Sequence, residues 1–427
     1  MTMSRPLFAT AVCALAVSLA VSAHSQNPAQ TPTARGGGPG GRGRGAVSLP
    51  EGPGKAQVEG YCQGCHQLGN ITQSGGFTRD GWDQLISTMI KLPADQKPVV
   101  LDYLAKNFPE LPRPPAVVVP GPMKISFKEW DLPTLGSRPH DPLAAPDGTI
   151  WYTGMFANKI GHIDPTTGTI KEYPLPIPQS GPHGLTMDKD GNIWFTANQH
   201  GYIGRLDPKT GDVKDYKLPD AARDPHTPLF DSHGMLWFSV QGSNMVGRLD
   251  PKTGDVKVET YPEPRSNPYG MVFTSKGIPV ICEFGGNRIS AIDPQTMAIK
   301  EWTLPNPDSR PRRIAITSDD AIWYSDYARG VLGRLDMATG AVKEWPSPSG
   351  PKSQPYGITA VHDVIWYAET AVRPNTFVRF DPKTEKFQTW LIPGGGGVVR
   401  NVSVTKDGNI AIAESGVNKV GLVEIGK

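Results

Sequence analysis

Gly181-Pro182-His183-Gly184-Leu185-Thr186-Met187-Asp188-Lys189-Asp190-Gly191-Asn192-Ile193-Trp194-Phe195-Thr196 is one copy of a line that recurs through most of this chain. A second half follows it: I-G-x-I/L-D-P-x-T-G, then a short alternating run such as Ile170-Lys171-Glu172-Tyr173. The copies enter at His140, His183, His226, Tyr269, Arg312, Tyr356 and Arg400, with steps of 43, 43, 43, 43, 44 and 44 residues. Each copy holds about four short strands of alternating pattern, and D-P-x-T-G (Asp164, Asp207, Asp250) makes a tight turn between the outer two. A period near 43 with four strands per unit implies a seven-bladed β-propeller over residues 120–427.

The ends of the repeat region agree with closure. The seventh copy stops one strand short, at Gly421-Leu422-Val423-Glu424-Ile425. The missing strand is found ahead of the first copy, where Lys124-Ile125-Ser126-Phe127-Lys128-Glu129-Trp130 matches Ile170-Lys171-Glu172-Tyr173. The N-terminal strand is therefore expected to complete the last blade and leave no open seam.

Equivalent positions in a propeller face one another around its axis. The entry position gives three His on one arc and Tyr269, Arg312, Tyr356 and Arg400 on the other. Fourteen residues on, thirteen in the sixth copy, stand Gly154, Ala197, Val240, Glu283, Asp326, Glu369 and Glu414. His140, His183 and His226 form a candidate divalent-metal set with an open coordination position. His183, His226 and Glu283 are the candidate catalytic groups. The carboxylates have a second reading, as a structural network with Arg312 and Arg400 across the mouth. Trp151, Trp194, Trp237, Trp323 and Trp366 recur at one position and read as core between blades.

The runs G-P-H-G-L-T-M-D-K-D-G-N-I-W-F-T and N-K-I-G-x-I-D-P-x-T-G resemble streptogramin B (virginiamycin B) lyases. That resemblance spans about residues 124–427. It implies a magnesium-dependent elimination that opens an ester-linked ring, with a His pair at the entry position of the last two copies and two metal-binding acids. In this chain those positions are Tyr356, Arg400, Val398 and Glu414, and only the last retains its residue type. A shifted set, His183 with Asp224 and His226, is also incomplete, because Val240 replaces its downstream acid.

Ahead of the repeats lies a different chemistry. Cys62-Gln63-Gly64-Cys65-His66 reads C-x-x-C-H, the attachment motif of haem c. Two thiols at that spacing form thioethers to the haem vinyls, and the adjacent His ligates the iron. A redox-active cysteine pair or half a zinc site are the alternatives, and residues 48–120 hold no further Cys or His to complete a zinc site. Residues 50–112 read as a small all-α haem domain. Residues 79–91 carry Trp82, Leu85, Ile86, Met89 and Ile90 on one helical face, with Asp80 as its cap. Residues 94–108 repeat the pattern. Met89 is the candidate sixth ligand, since no other Met lies between Met3 and Met123. The segment resembles small class I cytochrome c domains.

Residues 1–23 read as a secretory signal, with Arg5, an apolar run and Val21-Ser22-Ala23 as cleavage site. Residues 24–49, rich in Gly, Arg and Pro, read as a flexible linker. No other apolar stretch is long enough to span a membrane. A formal net charge of +2 gives no broad field for nucleic acid. A periplasmic or secreted haem c protein is expected, with a redox partner protein or a small electron donor or acceptor. Electron transfer or oxidoreduction, with substrate or partner at the propeller mouth, leads. A C–O lyase with an accessory cytochrome and a non-enzymatic propeller that docks a redox partner stand beside it.

Overall fold

The computed structural model describes residues 47–63 and 68–426. They form four helices followed by seven four-stranded antiparallel sheets. The sheets are the blades of a seven-bladed β-propeller. Blade 1 runs through Pro139–Ala144, Ile150–Gly154, Lys159–Ile163 and Ile170–Pro174, from axis to rim. Blade 7 is built from Val399–Val404, Ile410–Glu414 and Lys419–Ile425, and its outer strand is Ile125–Asp131 from the other end of the repeat region. That strand pairs in register from Ile125 opposite Ile425 to Asp131 opposite Lys419. The expected closure is what is found.

Packing explains the repeat text. The second strand is buried from end to end in six blades and from its second residue on in blade 6, and its Trp is buried in each of the five blades that carry one. The aromatic one residue on (Tyr152, Phe195, Phe238, Tyr324) lies across the Gly of the third strand (Gly161, Gly204, Gly247, Gly333), where any Cβ would sit inside the ring. The I-G of the repeat is thus a packing demand. The D-P-x-T-G turn forms as expected, with Asp164 Oδ1 accepting from Thr166 N at 2.8 Å and Gly168 N donating to Asp164 O at 2.8 Å.

The four helices are α1 (Lys55–Cys62), α2 (Gly69–Thr72), α3 (Arg79–Ser87) and α4 (Lys97–Asn107). They pack around Val58, Trp82, Ile86, Val100, Leu101, Tyr103 and Leu104. Two expectations need correction. Helix α3 ends at Ser87, so Met89 lies beyond it on a turn, where Met89 N donates to Ile86 O at 2.8 Å. The N-cap is Thr78, whose hydroxyl accepts from Gly81 N at 3.1 Å, and Asp80 sits inside the first turn. None of the described helices is long and apolar enough to cross a membrane.

The helical unit rests on one end of the propeller. Gly136 N, in the loop that enters blade 1, donates to Thr88 O at 2.7 Å. In blade 6 the loop after Glu369 presents Arg373, whose guanidinium lies 3.4 Å from the Phe77 ring centroid and donates to Gly76 O at 3.2 Å. From there residues 117–123 run along the outer strand Lys386–Leu391, with Thr389 N donating to Val119 O at 3.0 Å.

Candidate functional site

The inner strand of every blade whose pairing begins at Pro carries a register shift just after that Pro, as between Pro139 and Pro142 or Pro225 and Pro228. Such a bulge re-aims side chains. Here it turns the entry residue and the one after it toward the axis. A second device fixes them. Thr153 Oγ1 accepts from Asp141 N at 3.0 Å and donates to His183 O of the next blade at 2.9 Å. Thr196 bridges Gly184 N and His226 O in the same way, and Ser239 bridges Thr227 N and Tyr269 O. Each hydroxyl ties one blade's bulge to its neighbour's entry residue.

The three His converge as a stack. Ring centroids are 3.6 Å apart for His140 and His183, 3.9 Å for His183 and His226, and 3.9 Å for His226 and Tyr269. All three imidazoles are buried. Burial first, then neighbouring cationic and imidazole groups, holds each well below the usual His range, so they are neutral at pH 7. His183 Nδ1 and His226 Nε2 have no hydrogen-bond partner.

Beneath the His arc lies a layer that the sequence reading passed over: Asp141, Thr227, Arg313 and Asn401, each one residue after an entry position. Arg313 is buried and reaches Asp141 Oδ1 at 3.0 Å and Thr227 Oγ1 at 3.2 Å. Asp141 Oδ1 also meets His140 Nδ1 at 2.8 Å, and Asn401 Nδ2 donates to Asp141 Oδ2 at 2.9 Å. The other copies have Gly184, Gly270 and Gly357 here, each against the next blade's chain. The signal was present in the alignment of copies, as four polar exceptions to a glycine.

On the opposite arc Tyr269 and Tyr356 join hydroxyl to hydroxyl. Arg312 lies over them, its guanidinium carbon 3.9 Å from the Tyr356 ring centroid and 4.2 Å from that of Tyr327. Burial raises the Tyr356 hydroxyl, but Arg312, Arg400 and Arg313 outweigh it and bring the group below its ordinary value. Arg400 donates to Ser415 Oγ at 3.1 Å. Arg138 enters from the loop before blade 1 and stacks on Phe156 at 4.4 Å. Burial, then Arg400, pulls its guanidinium down to about 9.

The four carboxylates do not form the expected network with Arg312 and Arg400. Each is held within its own blade sector. Glu283 Oε2 meets Arg288 at 3.2 Å, and burial pushes its carboxyl up to about 7. Asp326 accepts from Arg310 N at 3.0 Å and pairs with Arg329 at 3.3 Å. Glu369 accepts from Ser347 and from Ser349 N at 2.7 and 2.8 Å. Burial, then Glu129, pushes Glu414 well above the usual carboxylate range. Glu283 is therefore tied to the Arg288 side of blade 4, apart from the interactions that join His183 and His226.

Of the metal sets, His140, Asp141 and His183 bring ligand atoms all within 4.8 Å of one another, whereas His226 is joined to them by ring stacking. The magnesium set implied by the lyase resemblance does not fit. Its positions hold Tyr356, Val398 and Arg400, and the retained Glu414 is buried and raised toward its neutral form. Of the C-x-x-C-H residues, Cys62 ends α1 half-buried. Cys65 and His66 lie outside the described residues. Met89 is 37 % exposed, so it is not a core side chain.

The chain matches the virginiamycin B lyase family model over residues 123–282 and 280–426. Among solved structures it is similar to virginiamycin B lyase from Staphylococcus aureus, at 26 % identity over 70 % of this chain and 99 % of that one, with a TM-score of 0.64. A catalytically inactive His-to-Ala variant of that lyase with quinupristin aligns at 25 % identity, 70 % and 99 % coverage and a TM-score of 0.65. Hydrazine synthase from Kuenenia stuttgartiensis shares the fold alone, at 14 % identity over 67 % of this chain and 96 % of that one, TM-score 0.58. No curated protein matches the chain.

Proposed function

The chain belongs to the virginiamycin B lyase family, and from that premise we propose that it is an exported haem c protein whose propeller binds a small substrate and whose N-terminal domain carries electrons away. One observation carries the reading most: the unit that bears Cys62 is seated on the end of the propeller where the entry residues converge. Its contacts there are Thr88 to Gly136, and Gly76 and Phe77 to Arg373. Gly136 is two residues from Arg138, a member of the mouth. A redox group held by such a domain would be carried on the same end of the propeller as the mouth.

When bound, haem c would supply one-electron chemistry. Cys62 and Cys65 would hold it and His66 would ligate the iron, with Met89 as candidate sixth ligand. The turn that carries Met89 is pinned through its backbone: Gly136 has a left-handed φ of 66°, and a Cβ there would press on Met89 O. The chain's own residues then bind and orient. Neutral imidazoles at His183 and His226 accept or donate hydrogen bonds without altering charge, and Arg312 and Arg400 stand on the opposite arc.

Elimination is the second reading, favoured by the family match and by Glu414. The family's base positions are Tyr356 and Arg400 here. An arginine does not act as a base near neutral pH, and losing a positioned base costs roughly 10²–10⁴-fold in rate. Protein made in a periplasm with a working haem-attachment system decides between them. The first reading expects a haem-staining band on a denaturing gel, reversible reduction of the haem, and no linearisation of streptogramin B. Absence of covalent haem overturns it. Magnesium-dependent ring opening, indifferent to oxidation state, establishes the second.

A further inference from the structure

We infer that the propeller mouth is an oxyanion site, and that its substrate carries a carboxylate or a phosphate. The inference deepens the small-molecule reading of the mouth and rests on it, but it does not rest on the haem.

The charge balance carries the argument. Four guanidiniums, those of Arg138, Arg312, Arg313 and Arg400, act together on the buried His140. One carboxylate, Asp141, answers them, and it is already taken by Arg313, His140 and Asn401. Among the described residues Arg138, Arg312 and Arg400 make no ion pair. The acids at the ends of the second strands turn to other groups: Glu283 is held by Arg288, Asp326 by Arg329 and Glu369 by Ser347 and Ser349, and among the described residues neither they nor Glu414 pair with Arg138, Arg312 or Arg400. A concentration of like charge with so little compensation is unfavourable in a half-buried site unless an anion joins it.

Geometry agrees with charge. Arg138 is held by stacking on Phe156, and Arg312 by stacking on Tyr356 and Tyr327 and by a hydrogen bond with Tyr269, so that neither guanidinium is spent on a carboxylate. Arg312 Nε, Arg313 Nε, His183 Nδ1 and His226 Nε2 are buried without partners. Arg313 and His183 are only 3 % and 5 % exposed. Planar forks of this kind match the paired oxygens of carboxylate and phosphate. The same surroundings oppose a divalent ion at His140, Asp141 and His183, since a cation there must displace Arg313 from Asp141.

The test is calorimetric titration of the full chain with succinate, inorganic phosphate and the uncharged succinamide, at low and at physiological salt. Binding of succinate or phosphate but not succinamide is expected, weakened at least tenfold in Arg312→Gln and in Arg400→Gln and abolished in the double variant. Binding of succinate alone marks a carboxylate substrate, and of phosphate alone a phosphate ester. Arg400→Lys keeps the charge but loses the fork, and is expected to recover only part of the affinity. Circular dichroism establishes that each variant is folded. No heat with either anion, or equal affinity in the folded double variant, overturns the inference. Either result is independent of haem content, so it is read separately from the electron-transfer proposal. Stoichiometric zinc retained through dialysis, with no anion bound, overturns it in favour of a metal at His140, Asp141 and His183.

Discussion

The two arcs of the mouth are built from the same repeat positions and do opposite things with them. Along blades 1–3 the second strand ends in Gly154, Ala197 or Val240, and the entry residues are imidazoles stacked 3.6–3.9 Å apart. Small side chains there leave the imidazoles to meet one another. Along blades 4–7 the second strand ends in a carboxylate, and the entry residues are Tyr and Arg. Those carboxylates turn to their own loops, as Glu369 does to Ser347 and Ser349, and leave the arginines uncompensated. The difference teaches that one arc is neutral and closed, while the other keeps positive charge in reserve for a ligand.

The strongest way to break the comparison is at the residue that joins the arcs. Arg313 comes from blade 5 and pairs with Asp141 of blade 1, both side chains almost wholly buried. Arg313→Met strands the carboxylate and is expected to cost about 3–5 kcal/mol in denaturant unfolding. Adding Asp141→Asn is expected to restore most of that. If the single variant unfolds like wild type, the arcs are not coupled through this pair.

A smaller effect concerns Glu414, whose carboxyl is raised by burial and by Glu129. A folded-state value above the unfolded one means that the stabilising contribution is complete below the unfolded pKa and is lost as pH rises toward the folded one. Between the two the loss runs at up to about 1.4 kcal/mol per pH unit. Glu414→Gln is expected to flatten the stability profile on the alkaline side of pH 5, measured as the urea midpoint across pH 5–9. An unchanged slope would place Glu414 as an ordinary ionised acid and return one counterion to the Arg arc.

The propeller was legible because its signal is repeated seven times. Position 43 residues on is structurally equivalent, so the text itself states what packs against what, down to the strand Ile125–Asp131 that closes the ring. The entry residues were legible for the same reason. What escaped was the layer below. Asp141, Thr227, Arg313 and Asn401 are joined across blades up to 260 positions apart in sequence, and no local spacing reports such a contact. The partners of the acids were misread because a propeller position specifies a direction but not which of several neighbours captures a charge. In the helical unit the periodicity through Met89 was real, but the final turn loosens after Ser87, and only geometry places Met89 outside the core.

The last comparison is between blades rather than arcs. Thr153, Thr196, Ser239 and Ser325 each latch the next blade's entry residue, and in blade 4 that place is held by Cys282. Its Sγ donates to Arg312 O at 3.2 Å, it is fully buried, and burial pushes the thiol up to about 12. A thiol so raised stays protonated, and a buried one is slow to react. Cys282 is then a latch made with sulfur, and not a thiol poised for redox chemistry. Cys282→Ser substitutes the residue type used by neighbouring blades and is expected to change stability by no more than about 1 kcal/mol. Cys282→Ala removes the donor and leaves Arg312 O without its latch, with an expected cost of about 1–3 kcal/mol. Because Arg312 also lines the mouth, the Ala variant is expected to weaken anion binding as well, while the Ser variant leaves it intact. Rapid alkylation of the native protein at Cys282, or equal stability of the Ser and Ala variants, would remove the latch from blade 4 and leave its entry residue positioned by stacking alone.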